Sequence, residues 1–379
     1  MGHFDTVTSR AVIMSVSTLA GIAAFGWMVA TYQPSVLQLQ REAEADQDLL
    51  RDVSRYRRLA QSEAYDLNFD KAIDHQTRIV ELQPYEPDNW TDLAGFREQA
   101  GQPAKALDAR RRAAEVQLQL ARDKDRDADE WVEAAYLLRA AGRLEEAEAT
   151  YRRAADAYLA EARHHDNGTR GWSRAATILS DLGEANRARD AWLGAAEAAE
   201  RELKSMYAPR SRTDAAFWRS AGDYYLLAGE PDRAKRIYRD AVAALGMVAN
   251  RPTGANVPRN ESEWDLLIWS AYQLGWVRKR LGEEVKAQEA WQRSLWLIEA
   301  MVNMPERRAG REWYNRACLR ALTGDHEGAF EALERAVRLK QVSRRHMLAD
   351  EDLRSLVDDD RFQALAAMLD DDPRERPWR

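Results

Sequence analysis

The side chains able to do chemistry in this sequence are few, and their spacing does not suit catalysis. Six histidines are scattered through 379 residues, and two of them stand in the run His164-His165-Asp166-Asn167-Gly168. Ligand-capable residues that are adjacent in a turn do not converge on an ion as residues on one helix face do. The single cysteine, Cys318, excludes an internal disulfide and a Cys-based metal cluster. It stands at a small-residue position and reads as packing. Carboxylates are abundant, but acidic residues on solvent-facing helix surfaces are the ordinary case. There is no GxxxxGK[ST], no GxGxxG after a strand pattern, no HExxH and no GxSxG. The chain therefore reads as non-catalytic, with no catalytic residues, no metal site and no cofactor expected.

What repeats is structural. A Gly is followed five residues later by Ala at Gly101/Ala106, Gly142/Ala147, Gly183/Ala188, Gly229/Ala234, Gly282/Ala287 and Gly324/Ala329. Twelve residues after each Gly stands Ala113, Ala154, Ala195, Ala241, Ser294 or Ala336. Eleven before it stands Trp90, Trp131, Trp172, Trp218 or Trp313, with Ala271 in the fifth copy. Nine after it come Arg110, Tyr151, Trp192, Tyr238, Trp291 and Leu333.

These spacings describe a helix pair. The Trp and the small residues three and four later, such as Ala134-Ala135 and Ala221-Gly222, share one face of a first helix. The Gly ends that helix in the left-handed conformation. Pro103 and Pro231 open second helices, where a missing N–H matters least. The Ala after the Gly permits close approach, and the aromatic is expected to fill the gap to the neighbouring pair. One pair cannot bury its apolar face alone; stacking does that.

The pattern resembles the tetratricopeptide repeat over residues 54–342, in about seven units of which the first and fifth are imperfect. The intervals between glycines (41, 41, 46, 53 and 42) exceed the 34 residues of that repeat. In the first unit Leu67-Asn68 replaces the Gly, with Asn68 the residue expected to take the left-handed conformation. The resemblance implies an all-α, right-handed superhelical solenoid of helix hairpins, and a role in holding other proteins. It also implies that first-helix positions one and five after the Trp line a concave groove. Carried over, these include Arg57 and Gln61, Tyr136, Arg219 and Asp223, Tyr272 and Trp276, and Tyr314, with Lys279 beside them. Arg and large aromatics are typical interface anchors, so a partner's peptide or helix is expected there. Thr91, Val132 and Ser173 stand where some family members place Lys or Asn to clamp a C-terminal carboxylate.

The ends read differently. After a polar tail, residues 1–10, the stretch 11–32 carries no charge. At about 1.5 Å per residue it reaches about 33 Å, enough to span a bilayer as one transmembrane helix. Arg10 before it slightly favours the tail inside and the repeats outside, in a bacterium the periplasm. Residues 33–53 read as a helical stalk. Residues 343–372 read as capping helices, with Leu353, Leu356, Phe362, Leu365 and Leu369 as the apolar stripe and Asp350, Asp352 and Asp358 among the polar outer face. Residues 373–379 are a tail. A net charge of −7, with both signs mixed throughout, argues against nucleic acid as a partner. The expected partners are other proteins and the lipid bilayer, with membrane subunits packed on the anchor a further option. The expected role is a membrane-anchored scaffold at a bacterial inner membrane. A permanent subunit of a membrane complex and a regulatory subunit of an envelope enzyme are the alternatives.

Overall fold

Each glycine of the repeat ends a helix, and the chain turns there. In a computed structural model of the chain, describing residues 41, 46–124, 127–164, 168–251, 260–302 and 312–369, every regular element among these residues is helical. Gly101, Gly142, Gly183, Gly229, Gly282 and Gly324 all have φ between 71° and 84°. At the first of them, Gln102 N–H donates to Arg97 O at 2.8 Å and Gly101 N–H to Glu98 O at 3.0 Å. This paired closure satisfies carbonyls that the helix end would leave open.

Contacts divide the chain into two units, Met1–Thr150 and Tyr151–Arg379. The described part of the first contains α1 (Gln47–Tyr65), α2 (Phe69–Leu82), α3 (Pro87–Gln99), α4 (Pro103–Asp123), α5 (Ala128–Ala140) and the start of α6 (Leu144–His164). Helices α1 to α4 each pack on the next in sequence. Helix α1 starts behind an Asp46 cap and runs unbroken through the expected join of stalk and first repeat. Its end corrects one expectation. Leu67, not Asn68, holds the left-handed conformation, at φ 60°. Asn68 N–H donates to Glu63 O and Leu67 N–H to Ala64 O, the hydrogen bonds made at the glycines. Counting back five from Ala72 gives Leu67, so the register of the repeat overrides residue preference.

The second unit continues with α7 (Thr169–Asp181), α8 (Ala185–Leu203), α9 (Arg212–Leu227), α10 (Pro231–Ala249), α11 (Glu261–Arg280), α12 (Glu284–Val302), α13 (Trp313–Thr323) and α14 (His326–Arg338). Here α9 packs on α10 and also on α11, so first helices of successive hairpins touch. The alanines five and twelve after each Gly are buried throughout, as is Ser294. In two copies the aromatic is placed differently from expectation. Tyr238 and Trp291 lie over Gly222 and Gly275 of their own hairpins, where an added Cβ would stand 2.2 Å and 2.3 Å from the rings. In these two copies the aromatic closes its own hairpin, because the small pair of the first helix leaves a seat for a flat ring, whereas Trp192 stacks on Tyr224 of the following hairpin at 5.5 Å, as expected.

A second closure recurs unforeseen. Arg97, Arg278 and Arg320, four residues before their glycines, donate to the carbonyls of Lys105, Lys286 and Gly328 at 3.2, 3.0 and 3.1 Å. Each arginine bridges its helix to the first turn of the next.

The chain closes with α15 (Arg344–Ala349), a 3-10 helix (Glu351–Leu356) and α16 (Asp360–Ala367). Met347, Leu353, Leu356 and Phe362 are buried with Phe330, Leu333 and Val337 of α14. Among the described residues no helix is long and apolar enough to cross a membrane. The span expected at 11–32 lies outside them, as do residues 165–167 of the histidine turn, residues 252–259 and the tail at 373–379.

Candidate functional site

The expected groove residues of the second unit come together, but they face the chain's own C-terminal cap. Tyr272, Trp276 and Arg280 stand one helical turn apart on α11 and so share a face. Arg219 and Asp223 approach from α9, and Tyr314 and Cys318 from α13. Into this pocket the cap inserts Asp350, Glu351 and Asp352.

Every acid finds donors. Tyr314 Oη donates to Asp350 Oδ2 at 2.6 Å. Tyr272 Oη donates to Asp352 Oδ2 at 2.6 Å, and Trp276 Nε1 to Asp352 Oδ1 at 3.0 Å. Arg280 grips Glu351 through both terminal nitrogens at 3.4 and 3.3 Å, and Arg219 stands 3.6 Å from the same carboxylate. Asp223 holds the two arginines in place, accepting from Arg219 at 3.1 Å and Arg280 at 3.3 Å. Cations also surround the Trp276 ring, with Arg219 at 4.6 Å, Lys279 at 4.7 Å and Arg280 at 5.5 Å. These are distances at which a cation gains from an aromatic face.

The cap bears on two expectations. Trp276 has no exposed surface, and Tyr272 and Tyr314 donate their hydroxyls to the cap, so with the cap in place these aromatics do not meet a partner. Nor do Asp350 and Asp352 belong to the cap's outer face. Asp352 is 7% exposed. The reason is the tight 3-10 turn, which sends these side chains inward while Leu353 and Leu356 fill the core. The acids and Arg280 were missed as site residues. Arg280 had a signal, its place eight residues after Tyr272 and four after Trp276 on one face.

Burial, then the neighbouring Asp350 carboxylate, raises Asp352 to about 6. Burial, then Asp352 and Asp350, pushes the Cys318 thiol well up. Its Sγ lies 3.7 Å from Asp350 Oδ2. Cys318, Asp350 and Asp352 place ligand-capable atoms within 4.8 Å of one another. A protonated thiol is a poor metal ligand, and both carboxylates already accept from Tyr or Trp donors. A cavity of about 20 Å³ bordered by Tyr272, Ser294, Cys318 and Asp352 has room for one water molecule.

The remaining candidates belong to the first unit. Arg57 donates to Asn89 Oδ1 at 3.1 Å. Gln61 is exposed and Tyr136 is half-buried on α5.

A sequence model of the tetratricopeptide repeat matches residues 313–342. That stretch is the hairpin α13–α14, with Gly324, Ala329 and Ala336 at the positions repeated in the other five copies. No curated protein matches the sequence. Among solved structures, BtubC (BKLC) from P. vanneervenii is 23% identical with a TM-score of 0.34, over 69% of this chain and 96% of that one. A tetratricopeptide repeat protein from Parabacteroides merdae is 14% identical with a TM-score of 0.33, over 84% of this chain and 98% of that one. MamA protein is 14% identical with a TM-score of 0.21, over 68% of this chain and 97% of that one. The described chain is an all-α helical repeat protein whose hairpins resemble tetratricopeptide repeats.

Proposed function

We propose that this chain is a non-catalytic scaffold that binds partner proteins, anchored at a bacterial inner membrane by residues 11–32 with its repeats on the periplasmic side. The observation that carries the binding role is the hairpin repeat itself. Six glycines in the left-handed conformation close successive hairpins, and in the second unit the first helices α9 and α11 pack together; stacked hairpins of this kind offer a surface of adjustable side chains. The uncharged stretch 11–32 supports the anchor, and Arg10 supports the orientation.

The test is recovery of a C-terminally tagged chain from detergent-solubilised membranes, with mass spectrometry of the proteins that accompany it. Periplasmic and envelope proteins in substoichiometric amounts are expected. A fixed set of membrane subunits at equal stoichiometry would make the chain a permanent subunit instead. Full recovery in the soluble fraction, with no companion proteins, would remove both the anchor and the scaffold.

A further inference from the structure

The segment Asp350–Asp352 does more than capping requires. A terminal cap needs an apolar underside and a polar top. Met347, Leu353, Leu356 and Phe362 already supply the underside. Asp350 caps the 3-10 helix, accepting from Asp352 N–H at 3.0 Å, but aiming Glu351 and Asp352 at the pocket adds nothing to that, and placing Asp352 beside Asp350 there is unfavourable until each oxygen finds a donor.

The pocket supplies those donors from three successive first helices. Tyr314 takes the first acid, the Arg219–Arg280 pair the second, and Tyr272 with Trp276 the third. Without the segment, Arg219, Arg280 and Lys279 would crowd one indole ring with Asp223 as the carboxylate bonded to both arginines. Such a surface is complementary to carboxylates, which accept paired guanidinium hydrogen bonds better than any neutral group. The occupying piece is a 3-10 helix of six residues between helices of six and eight. Elements this short have little internal cooperativity, so Leu353, Leu356 and the pocket hold the segment, not its own helix.

We infer that Asp350–Asp352 is an internal occupant of a receptor pocket, and that an acidic segment of a partner protein takes its place on Arg219, Tyr272, Trp276, Arg280 and Tyr314 when the cap lifts. The inference rests on the scaffold reading above and narrows it to one partner chemistry: alternate side chains, each a carboxylate, with a third acid between them on the arginines.

The test uses the full chain and its variant Asp350→Ala/Glu351→Ala/Asp352→Ala. The probe is a fluorescent peptide of residues 347–357, MLADEDLRSLV, with MLANQNLRSLV as the amide control. The variant is expected to bind the acidic peptide at least about tenfold tighter than the wild type does, and at least about tenfold tighter than it binds the control. Adding Arg280→Ala should abolish the difference. Equal binding by wild type and variant, or equal binding of the two peptides, overturns the inference, as does a helical variant that binds neither. If the variant loses its helicity, hydrogen exchange on the wild type decides: excess acidic peptide should speed exchange across 344–356 and the amide control should not, and no difference overturns the inference. A concentration-dependent wild-type dimer that the triple variant cannot form would assign the pocket to a second copy's cap and overturn the partner assignment. Loss of peptide binding with companion proteins still recovered from membranes removes the pocket and leaves the scaffold. Peptide binding without companions removes the scaffold and leaves the pocket.

Discussion

The indole N–H of Trp276 donates to Asp352 across 76 residues of sequence, at 3.0 Å and with the ring wholly enclosed. One side chain thereby joins α11 to the cap. Trp276→Phe keeps an aromatic ring but removes the donor, leaving a buried carboxylate oxygen short of one partner. A loss of about 1–3 kcal/mol is expected. Trp276→Ala also opens a cavity beneath three cations and should cost about 3–5 kcal/mol. Urea denaturation followed by circular dichroism measures both. Equal midpoints for the two variants would mean that the ring carries no packing load.

The Asp352–Asp350 pair makes the cap's stability depend on pH. Asp352 is raised from 3.8 to about 6, first by burial and then by Asp350. The folded state therefore holds a proton between these values that the unfolded state releases. The contribution is full below about 4 and is lost as pH rises through about 6. Across that window it amounts to up to about 3 kcal/mol. Lowering pH from 7.5 to 5 should raise the wild-type melting temperature relative to Asp352→Asn, whose amide keeps an acceptor for Trp276 but does not titrate. Parallel profiles for the two proteins would show that the carboxyl is already ionised at pH 5.

The hairpins were legible because each depends on a residue type with one physical reason to stand there. Gly229 takes a positive φ and Ala234 permits close approach; the seat of Tyr238 on the small pair of its own hairpin was not foreseen. The filled pocket was not legible. Asp350 and Asp352 sit in an acidic stretch with Asp358, Asp359 and Asp360, and composition cannot tell which of these turn inward. That is decided by a two-turn 3-10 helix whose register is set by Leu353 and Leu356 burying themselves. The arginine closures at Arg97, Arg278 and Arg320 were visible as a spacing from Gly, but three instances among 48 arginines do not stand out without the carbonyl they reach.

Leu67 offers a test of the register. It is 75% exposed and held at φ 60°, where a side chain with a Cβ is strained. Leu67→Gly removes that strain, worth about 1–2 kcal/mol, and loses little packing. Part of the gain is offset by the freer unfolded chain, so a net stabilisation of about 1 kcal/mol is expected in thermal denaturation. A destabilised variant would mean that Leu67 contributes buried contacts despite its exposure.

Glycine in these first helices is not one kind of position, and alanine substitution separates the kinds. Gly95 lies in α3 with ordinary helical backbone, and an added Cβ there meets nothing within 4 Å. Gly95→Ala should stabilise by about 0.5–1 kcal/mol, because alanine surrenders less backbone freedom than glycine on entering a helix. Gly222 lies in α9 at the corresponding turn, but its Cβ would stand 2.2 Å from the Tyr238 ring. Tyr238 cannot retreat easily, since it is buried and its hydroxyl donates to Asp223, the carboxylate that orients Arg219 and Arg280. Gly222→Ala should therefore destabilise by about 1–3 kcal/mol despite the better helix propensity of alanine. The strain should also travel: as Tyr238 shifts, Asp223 shifts with it, and exchange protection in the cap, residues 344–356, should fall. Gly222→Ala combined with Tyr238→Leu tests the route. The smaller side chain relieves the clash, so the double variant should lose less than the two single losses together. Additive losses would mean that some neighbour other than Tyr238 requires glycine at 222.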